Sequence, residues 1–406
     1  MTGFTAPPQE DFHSYANLTT KQGGHLDTLV QWSGSQCANT GGLDGLLLLP
    51  LLEIVPSVSH FFSDKLSQCR RGMDVIADKV RRTSDAYTST DQATAADLRG
   101  IYPHSYASFP AVASIPGASH LGDFTDEDVT LKEPTSAEDD TAKNIHHQLL
   151  ALGRNSELKG ADKLFQFCTG QSLVELLLTP LVGEYGRLRY LHDAYDALGD
   201  AAYTVAGTLR KGSWKLGAEW KGDTGTAFDE YLFRWTMGIG GVGDAAKIAA
   251  KAYLDGYEVI VGLVYAALRE IDELIKNEIK QLAEEAAKMA AGDAAIEAVG
   301  LGPEDPLADV GAGIYTAYRM YKIYKIVRTI VSIIMTIEKI FEAISKAVDT
   351  IKSDVQKVAD FISSPSSLPS VGSLVDDVEQ RGFEFEKGGG WSPAVGASRM
   401  AMLPAA

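Results

Sequence analysis

The stretch EWKGDTGTAFDEYL, residues 219–232, separates two long runs of helical patterning, and its reading decides the fold. Upstream, SLVELLLTPLVGEYGRLRYLHDAYDALGDAAYTVAGTL (172–209) reads as one long helix or a broken pair, with Pro180 and Gly183 as its weak point. The pattern breaks across residues 211–225 and restarts at Phe228, Tyr231, Leu232 and Trp235, which recur at helical spacing. It then continues to about residue 290. Gly222 lets the chain reverse tightly, Asp223 or Thr224 is available as a cap, and Trp220 can cover the open end. A long helical hairpin turning at Trp220-Lys221-Gly222 is the expected result. Strand patterning is nearly missing from the chain. The expected class is therefore all-α: long helical hairpins packed as an elongated bundle, with a disordered linker and C-terminal tail.

Before this hairpin lies a shorter helical region, residues 1–100. Met73, Ile76, Val80 and Tyr87 follow one stripe, and Leu26, Leu29 and Val30 suggest a partner helix. Pro50 and Pro56 should kink or divide the second of these two helices. In DAYTSTDQATAADL (85–98), Tyr87 and Asp91 stand one turn apart on one face, at the helix end. Residues 101–143 are Pro/Ser-rich and carry eight acids against Lys132 alone before Lys143, the composition of an extended, partly disordered linker. The remaining division is 144–300 for the long hairpin, 301–362 for a C-terminal amphipathic helix and 363–406 for a flexible tail.

The chain has 406 residues, 45% of them hydrophobic, which is enough to bury a core in two or three domains. A net charge of −17 argues against nucleic acid as a partner. Cys37, Cys69 and Cys168 form no C-x-x-C pair, so neither zinc nor a disulfide framework is indicated. A Cys37–Cys69 bridge requires an oxidising compartment and a meeting of the two sites. The N-terminus lacks a basic segment followed by an apolar run, and no apolar stretch is long enough for a conventional membrane span.

Several motifs have plainer readings. Gly238, Gly240 and Gly243 match G-x-G-x-x-G, but helical sequence precedes them where a phosphate-binding loop needs a strand. Those glycines suit a kink or a closely approaching helix instead. His146 and His147 are adjacent and would point about 100° apart on a helix, which makes a poor chelating pair. His192-Asp193 has no nucleophile motif beside it. No catalytic constellation, metal site or cofactor is expected, and an enzyme is not expected. In the C-terminal helix, Tyr315, Tyr318, Tyr321 and Tyr324 alternate with Arg319, Lys322, Lys325 and Arg328. Such a face could contact an anionic membrane surface or pack on the acidic helices of the long hairpin. Packing is the favoured expectation.

Taken together, Trp220-x-Gly222 at a long hairpin turn and Tyr87-x-x-x-Asp91 after a shorter hairpin resemble the WXG superfamily of type VII (ESX) secretion substrates. The order of short hairpin, acidic linker and long hairpin is similar to a fused PE–PPE pair. The first region lacks a PE signature, QWSGS (Trp32-Ser33-Gly34) is itself WXG-like, and the patterned C-terminal helix departs from that architecture. The resemblance implies a secretion signal at Tyr87 and Asp91, and a hairpin-turn motif at Trp220 and Gly222. It also implies secretion without a signal peptide, with the type VII machinery and a cognate chaperone as partners. A structural, oligomerising role at or outside the cell surface is the function it implies; a membrane-active effector using the C-terminal helices is the alternative.

Overall fold

The computed structural model describes residues 5–86, 112–114, 120, 122–285, 287–288 and 306–363. Helix α1 (Gln9–Trp32) and helix α2 (Leu51–Ala86) form the short hairpin. They run antiparallel, tied by Arg70 to Asp27 at 2.9 Å near the middle and by reciprocal Ser33–Ser59 bonds near the turn. Pro56 lies inside α2 without dividing it. It falls in the second turn, so the lost N–H bond is close to a helix end whose groups lack full pairing anyway.

Three shorter helices follow: α3 (Asp140–Arg154), α4 (Ser156–Thr169) and α5 (Leu173–Leu178). Asp139, Asn155 and Ser172 cap them with side-chain oxygens accepting from backbone N–H groups, and Gly170 closes α4 in the left-handed conformation. The break at Thr179–Leu181 falls at Pro180. Helix α6 (Gly186–Glu219) and helix α7 (Asp223–Leu274) then form the long hairpin. The interruption between them is only residues 220–222, narrower than the sequence suggests, because Trp214 and Leu216 bury within α6. Helix α7 continues through a π-helical turn at Ile275–Ile279 to residue 285.

The two hairpins make one four-helix body. The Tyr15 hydroxyl donates to Leu209 O, and Trp32 Nε1 donates to Ala194 O at 2.9 Å, which sets α1 antiparallel to α6. Gly199 and Gly243 face each other across α6 and α7. A Cβ on Gly243 would lie 2.6 Å from the Tyr203 ring and 3.0 Å from Gly199 O. The Gly-rich run is therefore a close-approach site inside a helix, with no strand before it.

At 52 residues, α7 is about 78 Å long and outruns α6. Helix α8 (Pro306–Ser363) covers the overhang. Its buried positions Ile323, Val327, Ile330, Ile334, Ile337, Ile344, Val348 and Ile351, with half-buried Phe341 between, step by four and three as in a coiled-coil seam. Gly256 receives Ile351, and Arg319 pairs with Glu285, so α8 runs antiparallel to α7. Among the described residues no helix is long and apolar enough to cross a membrane.

Residues 122–139 contain neither helix nor strand, as a linker should, yet they are held along α6 as a strap. Lys211 reaches Asp123 at 3.1 Å and Glu127 at 3.2 Å. Further on, Thr135 N donates to Asp193, and Asp139 meets both Tyr257 and Arg189. Helix begins at Asp140, slightly earlier than the boundary read from composition. Cys37 and Cys69 are both buried free thiols, and no disulfide joins them. The tail expected at 363–406 lies, from residue 364 onward, outside the described residues.

Candidate functional site at the Trp-x-Gly end

Helix α6 stops because Trp220 leaves helical geometry (φ −99°, ψ 97°) while its N–H still bonds Gly217 O at 3.1 Å. Gly222 follows with φ 129° and ψ 178°, a conformation essentially reserved for glycine, and it N-caps α7. The indole is 1% exposed. It meets Phe12 of α1 edge-on at 4.8 Å and Phe228 of α7 at 5.0 Å, and Gly225 leaves room beneath it. The tryptophan of the motif is thus a wedge between the two hairpins as well as a cover for one of them. Thr5 pairs with Lys221 in a two-bond antiparallel bridge that also draws the N-terminal segment to this turn. Only the backbone makes that bridge, so no side-chain pattern announces it.

The C-terminal end of α2 reaches the same place. Val80 and Thr83 face Trp220, Tyr231 and Leu232 across a narrow crevice. Tyr87 and Asp91, expected as the secretion signal, lie outside the described residues; α2 ends at Ala86, three residues past Thr83. The second Trp-x-Gly behaves differently. Trp32 ends α1 and Gly34 sits in a π-helical turn without positive φ, where an added Cβ would meet nothing. Its glycine is not required by the turn.

Below Trp220, Asp229 is buried and accepts the Val112 N–H at 2.7 Å, anchoring residues 112–114. Burial pushes its carboxyl well above the usual carboxylate range, and the Val112 N–H only partly opposes this. Its carboxylate rests against Gly217, where a Cβ would come within 2.1 Å. Nothing in the local sequence distinguishes this acid from the exposed Asp223 six residues earlier.

Elsewhere the strap brings Asp126 and Asp128 to His25, whose Nε2 lies 3.8 and 3.6 Å from them. The three ligand atoms stand within 4.8 Å of one another and could hold a divalent cation. Gln22 Nε2 and Lys21 already engage Asp126, so as it stands the cluster is a polar clasp joining strap to α1. A cleft of about 610 Å³ beneath the strap is lined by Lys132, Glu133, Arg189, Asp193, Asp196 and Asp200, together with threonines and Ala197. It contains neither His nor Cys. His146 and His147 are exposed, and His192 bonds Ala250 O through Nδ1.

The aromatic–basic face of α8 is divided. Tyr315 lies on α8 outside the described side chains. Arg319 and Lys322 turn to Glu285 of the α7 extension, and Lys322 also lies 5.2 Å over the Tyr318 ring. Desolvation pushes the Glu285 carboxyl up, but Arg319 and Lys288 outweigh it and hold the group below its ordinary range. Tyr318, Tyr321, Tyr324, Lys325 and Arg328 face outward. Helix α8 is thus packed on an acidic position of α7, while part of the face remains uncovered. No protein-family model, curated protein or solved structure matches this chain.

Proposed function

We propose that the chain is a non-enzymatic type VII secretion substrate, exported folded, that acts as a structural or oligomerising protein at or outside the cell surface. One observation carries the reading: the Trp220–Gly222 turn of the long hairpin and the end of α2 that leads into Tyr87 and Asp91 share one crevice. A translocase or chaperone approaching that end would meet the Trp220–Gly222 turn and the helix that precedes Tyr87 in sequence together. The Gly222 backbone and the wedged Trp220 also give the motif a physical reason beyond chance spacing.

The test is secretion of wild type, Tyr87→Ala and Asp91→Ala from a host with an intact or a disabled type VII system. Wild type should appear outside only with the intact system, and both variants should stay inside with unchanged circular dichroism. Normal secretion of both variants, or wild-type export from the disabled host, overturns the reading.

A further inference from the structure

Helix α8 has two apolar stripes, and the fold uses one. The inward seam from Ile323 to Ile351 is covered by α7. Opposite it, Tyr318, Tyr321, Tyr324, Val331 and Met335 are 55, 61, 63, 39 and 57% exposed. Lys325 and Arg328 stand among them, both exposed and neither in an ion pair among the described residues. Between Asp309 and Glu338 the sequence holds no acid, in a chain of net charge −17. An acidic protein that keeps one acid-free, aromatic, cationic face bare has a surface suited to an anionic counterpart.

We propose that the outward face of α8, from Tyr318 to Met335, docks on the surface of an anionic lipid bilayer. The face is about 26 Å long, and the helix is already folded, so docking carries no helix-ordering cost. Tyrosine rings with a polar tip suit the boundary between headgroups and acyl chains. Lys325 and Arg328 are placed for lipid phosphates, while Val331 and Met335 extend the apolar contact. The remaining surface, rich in carboxylates, is repelled by the same bilayer, which orients the molecule with α8 toward it. Docking is peripheral, since no described helix is apolar enough to cross. A second copy fits less well. Two-fold pairing of this face with itself sets its cations among their own copies with no acid there to answer them.

The experiment is cosedimentation of the purified full-length protein with vesicles of phosphatidylcholine alone or with about one-third phosphatidylglycerol, at about 50 and about 500 mM NaCl. Wild type should bind the anionic vesicles at low salt, release at high salt and ignore neutral ones. The pair Lys325→Glu and Arg328→Glu should weaken binding at least about 25-fold, from about 5-fold per cation removed. Tyr321→Ser with Tyr324→Ser should weaken it while leaving the salt dependence. Lys159→Glu, an exposed charge change on α4, should bind as wild type, and circular dichroism should be the same for all variants. Equal binding to neutral vesicles, insensitivity to the Lys325/Arg328 pair, or no binding by wild type overturns the proposal. So does self-association abolished by that pair, which assigns the face to a second copy. Purified protein needs no export machinery, so this proposal can fail while the secretion reading stands.

Discussion

Replacing Trp220 by alanine is the most informative perturbation of the bundle end. The indole is 1% exposed and touches both hairpins, Phe12 on one side and Phe228 on the other. Truncating a buried tryptophan costs about 3–5 kcal/mol, the lost transfer energy plus the cavity left behind. The ring pairs account for about 0.5–1.5 kcal/mol each within that total. Collapse into the space is limited, because Gly225 and the turn backbone form one wall and have no side chain to move. Urea denaturation followed by far-UV circular dichroism measures the loss. A Phe12→Ala/Trp220→Ala double-mutant cycle should return a coupling of about 0.5–1.5 kcal/mol across the hairpins. Loss of secretion by Trp220→Ala would not identify a recognition residue, since packing between the hairpins is weakened as well. Trp220→Phe keeps a ring in place at a cost of about 1–2 kcal/mol and separates the two effects. If the translocase reads the indole, this folded variant stays inside; if it reads only the packed end, the variant is exported. A Trp220→Ala cost below about 1 kcal/mol, near the ordinary range for surface changes, refutes the wedge.

Gly72→Ala should cost about 1–3 kcal/mol by overpacking, because its Cβ would lie 1.7 Å from the buried Trp235 ring. Gly24→Ala, at an exposed position of α1, meets nothing and should stabilise by about 0.5–1 kcal/mol; a thermal scan of the two variants checks the opposite signs. The raised Asp229 carboxyl means that, above the unfolded carboxylate pKa near about 4, the folded state holds a proton that the unfolded state has lost. Stability from this group therefore falls as pH rises. Asp229→Asn, whose amide oxygen can still accept from Val112, should gain over wild type progressively above pH about 4 in urea midpoints. A gain that does not change with pH counts against it. Lys211→Ala, by releasing Asp123 and Glu127, should speed tryptic cleavage at Lys132 in the strap; an unchanged rate would show that the strap is held elsewhere.

Local pattern and tertiary register were unequally legible in the sequence. The C-terminal helix expected within 301–362 runs Pro306–Ser363, since a proline start and an unbroken four-three repeat are local signals. The Trp220–Gly222 turn was legible for the same reason: a positive φ selects glycine where the chain reverses. Gly72 beneath Trp235, Asp229 beneath Val112, and the strap's ion pairs with α6 depend on which helix lies opposite, and one helix's periodicity carries no such information. The cationic face of α8 was visible as composition. Its division into a half paired with Glu285 and an outward half required the antiparallel register with α7.

The strap changes the order of the assembly reaction. A short hairpin docked on a long one is, between separate chains, a second-order complex that dilution dissolves. Here both hairpins belong to one chain, and residues 122–139 of the connection between them are themselves bound along α6. Linked modules meet at an effective concentration set by their tether, independent of how much protein is present. Each molecule therefore carries its own docking partner with it at any dilution. Loss of the short hairpin requires unfolding or proteolysis, and never simple dissociation.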